Sequence, residues 1–338
     1  MYLSFYGLAE KPFNTTPDPR FLFLTPSHRE ALSQLVYGAR EGTGVIVLTG
    51  EVGTGKTTLL RTLLDRLDRT VAVAFVVTPM LGFEGLLEYI LEDLGVEAAG
   101  PSPAQRLIAL HGFLVQRART GQRTLVIIDE AQHLAPATLE QIRLLSNFET
   151  GSEKLLQIVL AGQPELMAKL ALPELRQLKQ RVGLCCRIRP LTAPETAHYV
   201  RTRLRVAGAP NPRLFTDRAL ARVHRYAGGI PRTINLLCEH SLLIGYADQV
   251  RRIDRGVVAE ARRALRADEG AGAERGAALR QWTVGRWRWL LGAGAVAAGA
   301  AGSVLWYRDA AAVLGGTVFA YGAKVTQLFG GVEALFGR

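Results

Sequence analysis

The chain has 338 residues, 48% of them apolar, with 41 Lys and Arg against 30 Asp and Glu, for a net charge of +11. That length exceeds one typical domain, so two or three units and a sizeable core are expected, and the basic excess suits acidic partners: nucleic acid, anionic lipid or nucleotide phosphates. The three cysteines, adjacent Cys185 and Cys186 with distant Cys238, exclude a disulfide framework and a cysteine metal site, and read as free thiols in a reducing compartment.

Residues 1–44 predict an irregular lead. Pro12, Pro17, Pro19 and Pro26 punctuate Phe13, Phe21 and Phe23. Such aromatics pack either beside a bound base or against the core, and the sequence leaves both open. A basic, apolar and small-residue order is missing at the N-terminus, so no secretory signal is expected. A helix is predicted from His28 to about Arg40, with Ser27 as its cap and Glu30 completing a capping box.

Val45 to Thr49 is an apolar, β-branched run of strand length. Gly50-Glu51-Val52-Gly53-Thr54-Gly55-Lys56-Thr57 follows it, a full G-x-x-x-x-G-K-[ST] match. Leucines at helical spacing run on from Thr57-Thr58 to Leu67. Strand, glycine-rich loop and helix in that order are a phosphate cradle. Glycines let successive N–H groups turn inward, and the helix N-terminus adds partial positive charge. Lys56 reaches the β- and γ-phosphates and the Thr57 hydroxyl holds Mg²⁺. ATP and Mg²⁺ are therefore the expected ligands, with Gly50 to Thr58 as the binding stretch.

Further strands are expected at Val71 to Thr78, Leu125 to Ile128, Leu155 to Ala161 and Leu184 to Ile188. Helical patterns lie between them at Gly82 to Leu94, from Pro101 and Pro103 to about Thr120, and from Pro136 to Phe148. Alternation of this kind implies a parallel α/β sheet of five strands. The third strand ends in Asp129-Glu130, the form of a Walker B element. Asp129 would sit beside the Mg²⁺ that Thr57 contacts, and Glu130 would polarise the attacking water.

After Pro190 the character changes. Glu195 to Ala207, Asp217 to Ala227, Pro231 to Ala247 and Asp254 to Ala267 are four amphipathic helical patterns. Glu195 to Arg266 holds fourteen Arg and no Lys against six acids. A small polar linker follows, and Trp289 to Tyr307 then gives nineteen uncharged residues with Trp or Tyr at both ends. That run predicts a single membrane span. Arginines are denser before it, which puts the N-terminal part on the cytoplasmic side.

Asp129-Glu130-Ala131-Gln132-His133-Leu134, with Phe5-Tyr6-Gly7-Leu8, Pro12-Phe13 and Pro17-Asp18-Pro19-Arg20-Phe21, resembles the general secretion pathway A (GspA/ExeA-type) ATPases of the AAA+ class over about residues 1–265. The resemblance implies three further roles. Gln163 stands at the sensor 1 position. Arg181 resembles an arginine finger reaching a neighbouring subunit, with Arg176 as its rival. Arg232, after Gly228-Gly229-Ile230-Pro231, looks like sensor 2. Many members carry a peptidoglycan-binding domain beyond the span. The thirty or so residues after Tyr307 leave no room for one, which fits better the branch found with exopolysaccharide and exosortase gene clusters.

The expected architecture is thus a P-loop AAA+ α/β domain over residues 1–190 and a helical lid over 191–267. A linker (268–286), a transmembrane helix (287–308) and a short extracytoplasmic tail (309–338) follow. The expected function is Mg·ATP hydrolysis at the bacterial inner membrane for an envelope secretion or export system. Its expected partners are further copies in a dimer or ring, the lipid bilayer, and a membrane or periplasmic component. A DNA-binding ATPase akin to transposition target-selection subunits is the alternative.

Overall fold

Five consecutive apolar residues make β1 (Val45–Thr49), and all five are buried. A strand covered on both faces reads as a continuous hydrophobic run, and its neighbours show why. The sheet also holds β2 (Val71–Val76), β3 (Arg123–Ile128), β4 (Gln157–Gly162) and β5 (Val182–Arg187). All pairings are parallel, and the spatial order is β2-β3-β4-β1-β5. The computed structural model describes residues 1–267 apart from 15–17, 69, 78–81, 99, 101 and 152. The linker, span and tail expected after 267 lie outside the described residues.

Side chains alternate across the sheet as a two-residue period requires. On one face Val45, Val47, Val126, Ile128, Ile158 and Leu160 meet α4 (Phe83–Asp93), α5 (Pro103–Arg119) and α6 (Pro136–Leu145). On the other, Ile46, Leu48, Leu125, Ile127, Val159 and Ala161 meet α2 (Pro26–Glu41) and α3 (Lys56–Arg66). Each Val, Leu or Ile so buried contributes about 1.5–3 kcal/mol.

The elements follow the sequence closely and differ at their ends. α2 begins at Pro26, and its cap is Thr25, whose side chain accepts from the His28 N–H; Ser27 is not the cap. Proline has no N–H to lose and a helical φ, so it takes the first helical position and the cap falls one residue earlier. The helix expected to reach Phe148 stops at Leu145, where the chain turns into an antiparallel bridge between Glu149 and Lys154. α1 (Tyr2–Tyr6), α7 (Pro164–Leu170) and α8 (Arg176–Arg181) were not expected. At five to seven residues they are too short to show a helical period.

Past Arg187 the described chain is helical: α9 (Ala193–Val206), α10 (Asp217–Ala227), α11 (Pro231–Ala247) and α12 over 255–267. This lid and the sheet belong to one compact unit, Met1–Leu265. The aromatic lead is split between two duties. Tyr2, Tyr6, Leu8, Phe13 and Phe21 are buried in the lid's core with Tyr199, Phe215 and Ile253. Arg203 of α9 clamps the lead from below. Its buried guanidinium donates to the Pro12 and Asn14 carbonyls at 2.5 and 3.2 Å and lies 4.7 Å from the Phe21 ring centre.

A glycine pair ties the segment that leaves β5 to the helices of the lid. The Leu191 N–H donates to the Gly229 carbonyl at 2.8 Å. Gly228 and Gly229 both have positive φ, and a Cβ on Gly229 would lie 2.1 Å from the Leu191 carbonyl oxygen. Gly229→Ala is therefore expected to lower stability by roughly 3 kcal/mol in a denaturant titration, through left-handed strain plus a backbone clash. Gly228→Ala meets open space and is expected to cost only about 1 kcal/mol.

Candidate functional site

β1 delivers the chain to Gly50 at the carboxyl end of the sheet, where ligands of parallel α/β folds bind. The loop Gly50 to Gly55 then curls on itself. Gly53 and Gly55 have φ of 78 and 101°, angles that side-chain-bearing residues rarely adopt. Gly50 is needed for space: a Cβ there would sit 2.8 Å from Thr54 Oγ1. That hydroxyl donates to the Glu51 carbonyl at 2.7 Å. Lys56 opens α3 and folds back under the loop, its Nζ donating to the Gly50 and Glu51 carbonyls at 2.8 and 3.2 Å. Burial pulls the Lys56 amine below its usual value, and the Glu130 and Asp129 charges oppose that pull.

The strand order decides what faces this loop. β4 lies between β1 and β3, so the end of β4 stands between the loop and the acids that end β3. Asp129 is fully buried and already engaged on both oxygens. Thr57 Oγ1 donates to Oδ2 at 2.6 Å and the Glu130 N–H donates to Oδ1 at 2.9 Å. Glu130 has φ of 53°. A non-glycine residue in that region stores about 1–3 kcal/mol, and such strain gathers at functional sites.

Two glutamines hold the Glu130 carboxylate. Gln132 Nε2 donates to Oε2 at 2.6 Å, and Gln163 Nε2 reaches the same oxygen at 3.5 Å. Gln132 is held in turn: its Oε1 accepts from the Gln163 N–H at 3.1 Å. Lys169 Nζ from α7 pins the turn by donating to the Gln132 and Leu134 carbonyls at 2.6 and 2.7 Å. Burial pushes the Glu130 carboxyl up, but the two amide donors together with Lys56 and His133 outweigh it, so the acid sits below its usual value. It is a carboxylate at neutral pH.

Loop, Glu130 and lid surround a cavity of about 490 Å³, a volume typical of small-ligand sites. Its walls include Gly53 to Thr58, Glu130, Phe21, Phe23, Tyr199 and Arg232. Arg232 stands on the first turn of α11 and touches the loop directly, its N–H donating to the Gly53 carbonyl at 3.2 Å. Lys56, Thr57, Asp129, Glu130, Gln163 and Arg232 thus gather at one end of the sheet. Arg181 does not join them. It is exposed, at the end of α8 where β5 starts opposite Val45, and it is not among the cavity's lining residues.

Several contributors escaped the sequence reading. Gln132 was visible only as part of a motif. Tyr199 and Arg203 were hidden among many lid arginines. The signal was there: Thr196, Tyr199, Val200, Arg203 and Leu204 form one buried stripe of α9, so Arg203 falls on the apolar face. Tyr199 donates to Asn235 Oδ1 at 2.8 Å, linking that stripe to α11 beside the cavity.

Comparison with known proteins agrees with this geometry. An AAA domain family matches residues 39–170. General secretion pathway protein A of Aeromonas hydrophila is 44% identical over 257 residues, 76% of this chain and 47% of that protein. An uncharacterized HTH-type transcriptional regulator of Methanocaldococcus jannaschii is 28% identical over 171 residues, 48% of this chain and 40% of that one. The chain therefore spans about half the length or less of the curated relatives it matches. Among solved structures, the Aeropyrum pernix ORC2 protein in its ADPNP–ADP complexes superposes with a TM-score of 0.56 at 16% identity, covering 75% of this chain and 71% of that one. The ORC1 protein of the same organism, in complex with DNA, gives 0.55 at 20% identity over 76% and 69%. Those two likenesses establish the fold alone. Loop, acid pair and strand order, with the AAA domain match, give this chain an AAA+ P-loop fold, and its described part is similar to general secretion pathway protein A.

Proposed function

We propose that the chain is a membrane-anchored ATPase that hydrolyses Mg·ATP to drive assembly or operation of an envelope secretion or export system. The observation that carries the reading is the convergence of Lys56, Thr57 and Glu130 on one cavity, with buried Asp129 hydrogen-bonded to Thr57 behind its wall. A phosphate-gripping loop alone would serve binding. A strained carboxylate held by two amides beside that loop serves hydrolysis.

The donor set suits a magnesium ion. Thr57 Oγ1 and Asp129 Oδ2 are both hard oxygens and lie 2.6 Å apart; Mg²⁺ takes one or two such protein ligands and completes its shell with phosphate and water. When bound, the ion would neutralise charge building on the β- and γ-phosphates. The chain's own residues do the rest. The loop N–H groups and Lys56 grip the phosphates. Glu130 accepts a proton from the water whose oxygen attacks the γ-phosphorus, while the bond to the β–γ bridging oxygen breaks. Gln132 and Gln163 keep Glu130 aimed. Arg232 reports the phosphates to the lid, and Arg181 completes the site of a neighbouring copy in a dimer or ring.

Support for the cellular role is the name of the secretion-pathway relative, with the uncharged run Trp289 to Tyr307 and its flanking arginines. The proposed place is the bacterial inner membrane with the ATPase part in the cytoplasm. The test is phosphate release by the full chain in lipid vesicles with Mg·ATP. Turnover is expected to rise more steeply than protein concentration, as a site shared between subunits requires. Turnover at the buffer rate at every concentration would defeat the reading. Tight binding to duplex DNA that weakens steeply with salt would favour the DNA-binding alternative instead.

A further inference from the structure

His28 lies outside the phosphate-binding motif, yet it touches it. It is on the first turn of α2 and buried, and its ring spans from Thr25 to the loop. Nε2 lies 3.0 Å from the Thr54 carbonyl oxygen and Nδ1 lies 2.6 Å from Thr25 Oγ1. Thr25 and Thr54 are buried as well. A carbonyl can only accept, so the proton is on Nε2. Burial lowers the affinity of the ring for a second proton, and Nδ1 of the neutral ring accepts from the Thr25 hydroxyl. That hydroxyl takes the His28 N–H at 3.3 Å and lies 3.0 Å from Ser27 Oγ, which can donate to it. Every hydrogen bond of the group is accounted for, and only one tautomer satisfies them all.

The consequence lies across one peptide bond. In a planar trans peptide the C=O of one residue and the N–H of the next point in opposite directions. Thr54 and Gly55 share such a plane, and Gly55 is held at φ of 101°. We infer that His28, itself on the cavity wall, is a positioning residue: by holding the Thr54 carbonyl on its own side of the loop it sets the Gly55 N–H on the opposite side, presetting one donor of the phosphate cradle. This rests on the nucleotide-binding reading given above. It differs from a packing role, because it predicts that one of the two ring nitrogens matters for phosphates and the other does not.

Two substitutions separate the nitrogens. The amide nitrogen of Gln occupies the place of Nε2 and can still donate to Thr54. The amide of Asn stops at the place of Nδ1 and keeps only the Thr25 contact. Equilibrium binding of Mg·ADP and of adenosine to the full chain is measured for wild type, His28→Gln and His28→Asn. His28→Gln is expected within about threefold of wild type for ADP and His28→Asn about tenfold weaker or more, the effect of one lost, desolvated hydrogen bond. Adenosine, which has no phosphate, is expected to bind all three alike. Should the wild type bind ADP while the two variants bind it equally well, or should adenosine weaken as much as ADP, the inference is overturned and the nucleotide reading stands. A wild-type chain that binds no ADP overturns both.

Discussion

Replacing Glu130 by Gln is expected to cut ATP turnover by about 10²–10⁴-fold while leaving nucleotide affinity near wild type, the range for loss of a positioned general base. The substitution keeps the shape of the side chain and its contacts. Gln132 and Gln163 both donate to one oxygen of Glu130, and the new amide can place its own carbonyl oxygen there. The loop, Lys56 and Thr57 are untouched, so the phosphates are gripped as before. What disappears is a carboxylate that can take the proton of the attacking water. The pH dependence follows from the same contacts. Because the Glu130 acid is held below its ordinary value, the carboxylate persists as pH falls, and the acid limb of wild-type turnover is expected below the normal glutamate range. Phosphate release and nucleotide titration measured side by side check both points. Undiminished hydrolysis by the variant would remove Glu130 from the chemistry.

Much of this site was legible in the sequence because its parts are local. A strand, six linking residues and a helix specify the phosphate loop by spacing alone, and Asp129-Glu130 follows an apolar strand that could only be buried. The fold class came from the alternation of periods two and 3.6. What spacing cannot carry is the order of strands. Only the placement of β4 between β1 and β3 explains why Gln163 meets Glu130 and why Gln132 bridges them. His28 and Arg203 were missed for a related reason. Each acts through a backbone carbonyl of a distant residue, and backbone partners leave no residue-type signature. The sequence leaves the lead's aromatics open between a bound base and the core, because burial in the lid depends on residues about two hundred positions away, such as Phe215 beside Phe13.

Arg181 sets the hardest test, because it stands apart from the cavity of its own chain. It is exposed at the end of α8, with the Glu149 charge as a neighbour, and it lies at the end of β5 remote from the loop. A guanidinium supplied across a subunit boundary is worth about 10³–10⁵ in phosphoryl-transfer rate. Arg181→Ala is accordingly expected to lower turnover by that order with nucleotide binding intact, and Arg176→Ala, at the start of the same helix, is expected to stay within a few fold of wild type. Loss in the single variant does not by itself say in which subunit the arginine acts. Mixing does. In an assembly with head-to-tail interfaces, Arg181→Ala chains keep Glu130, and Glu130→Gln chains keep Arg181. Where the first binds nucleotide beside the second, one complete site forms. Random mixing of two inactive variants should therefore restore roughly a quarter of wild-type turnover per chain. An arginine acting within its own chain restores none. If the mixture stays inactive, the finger is not Arg181, and the cavity must be completed from within.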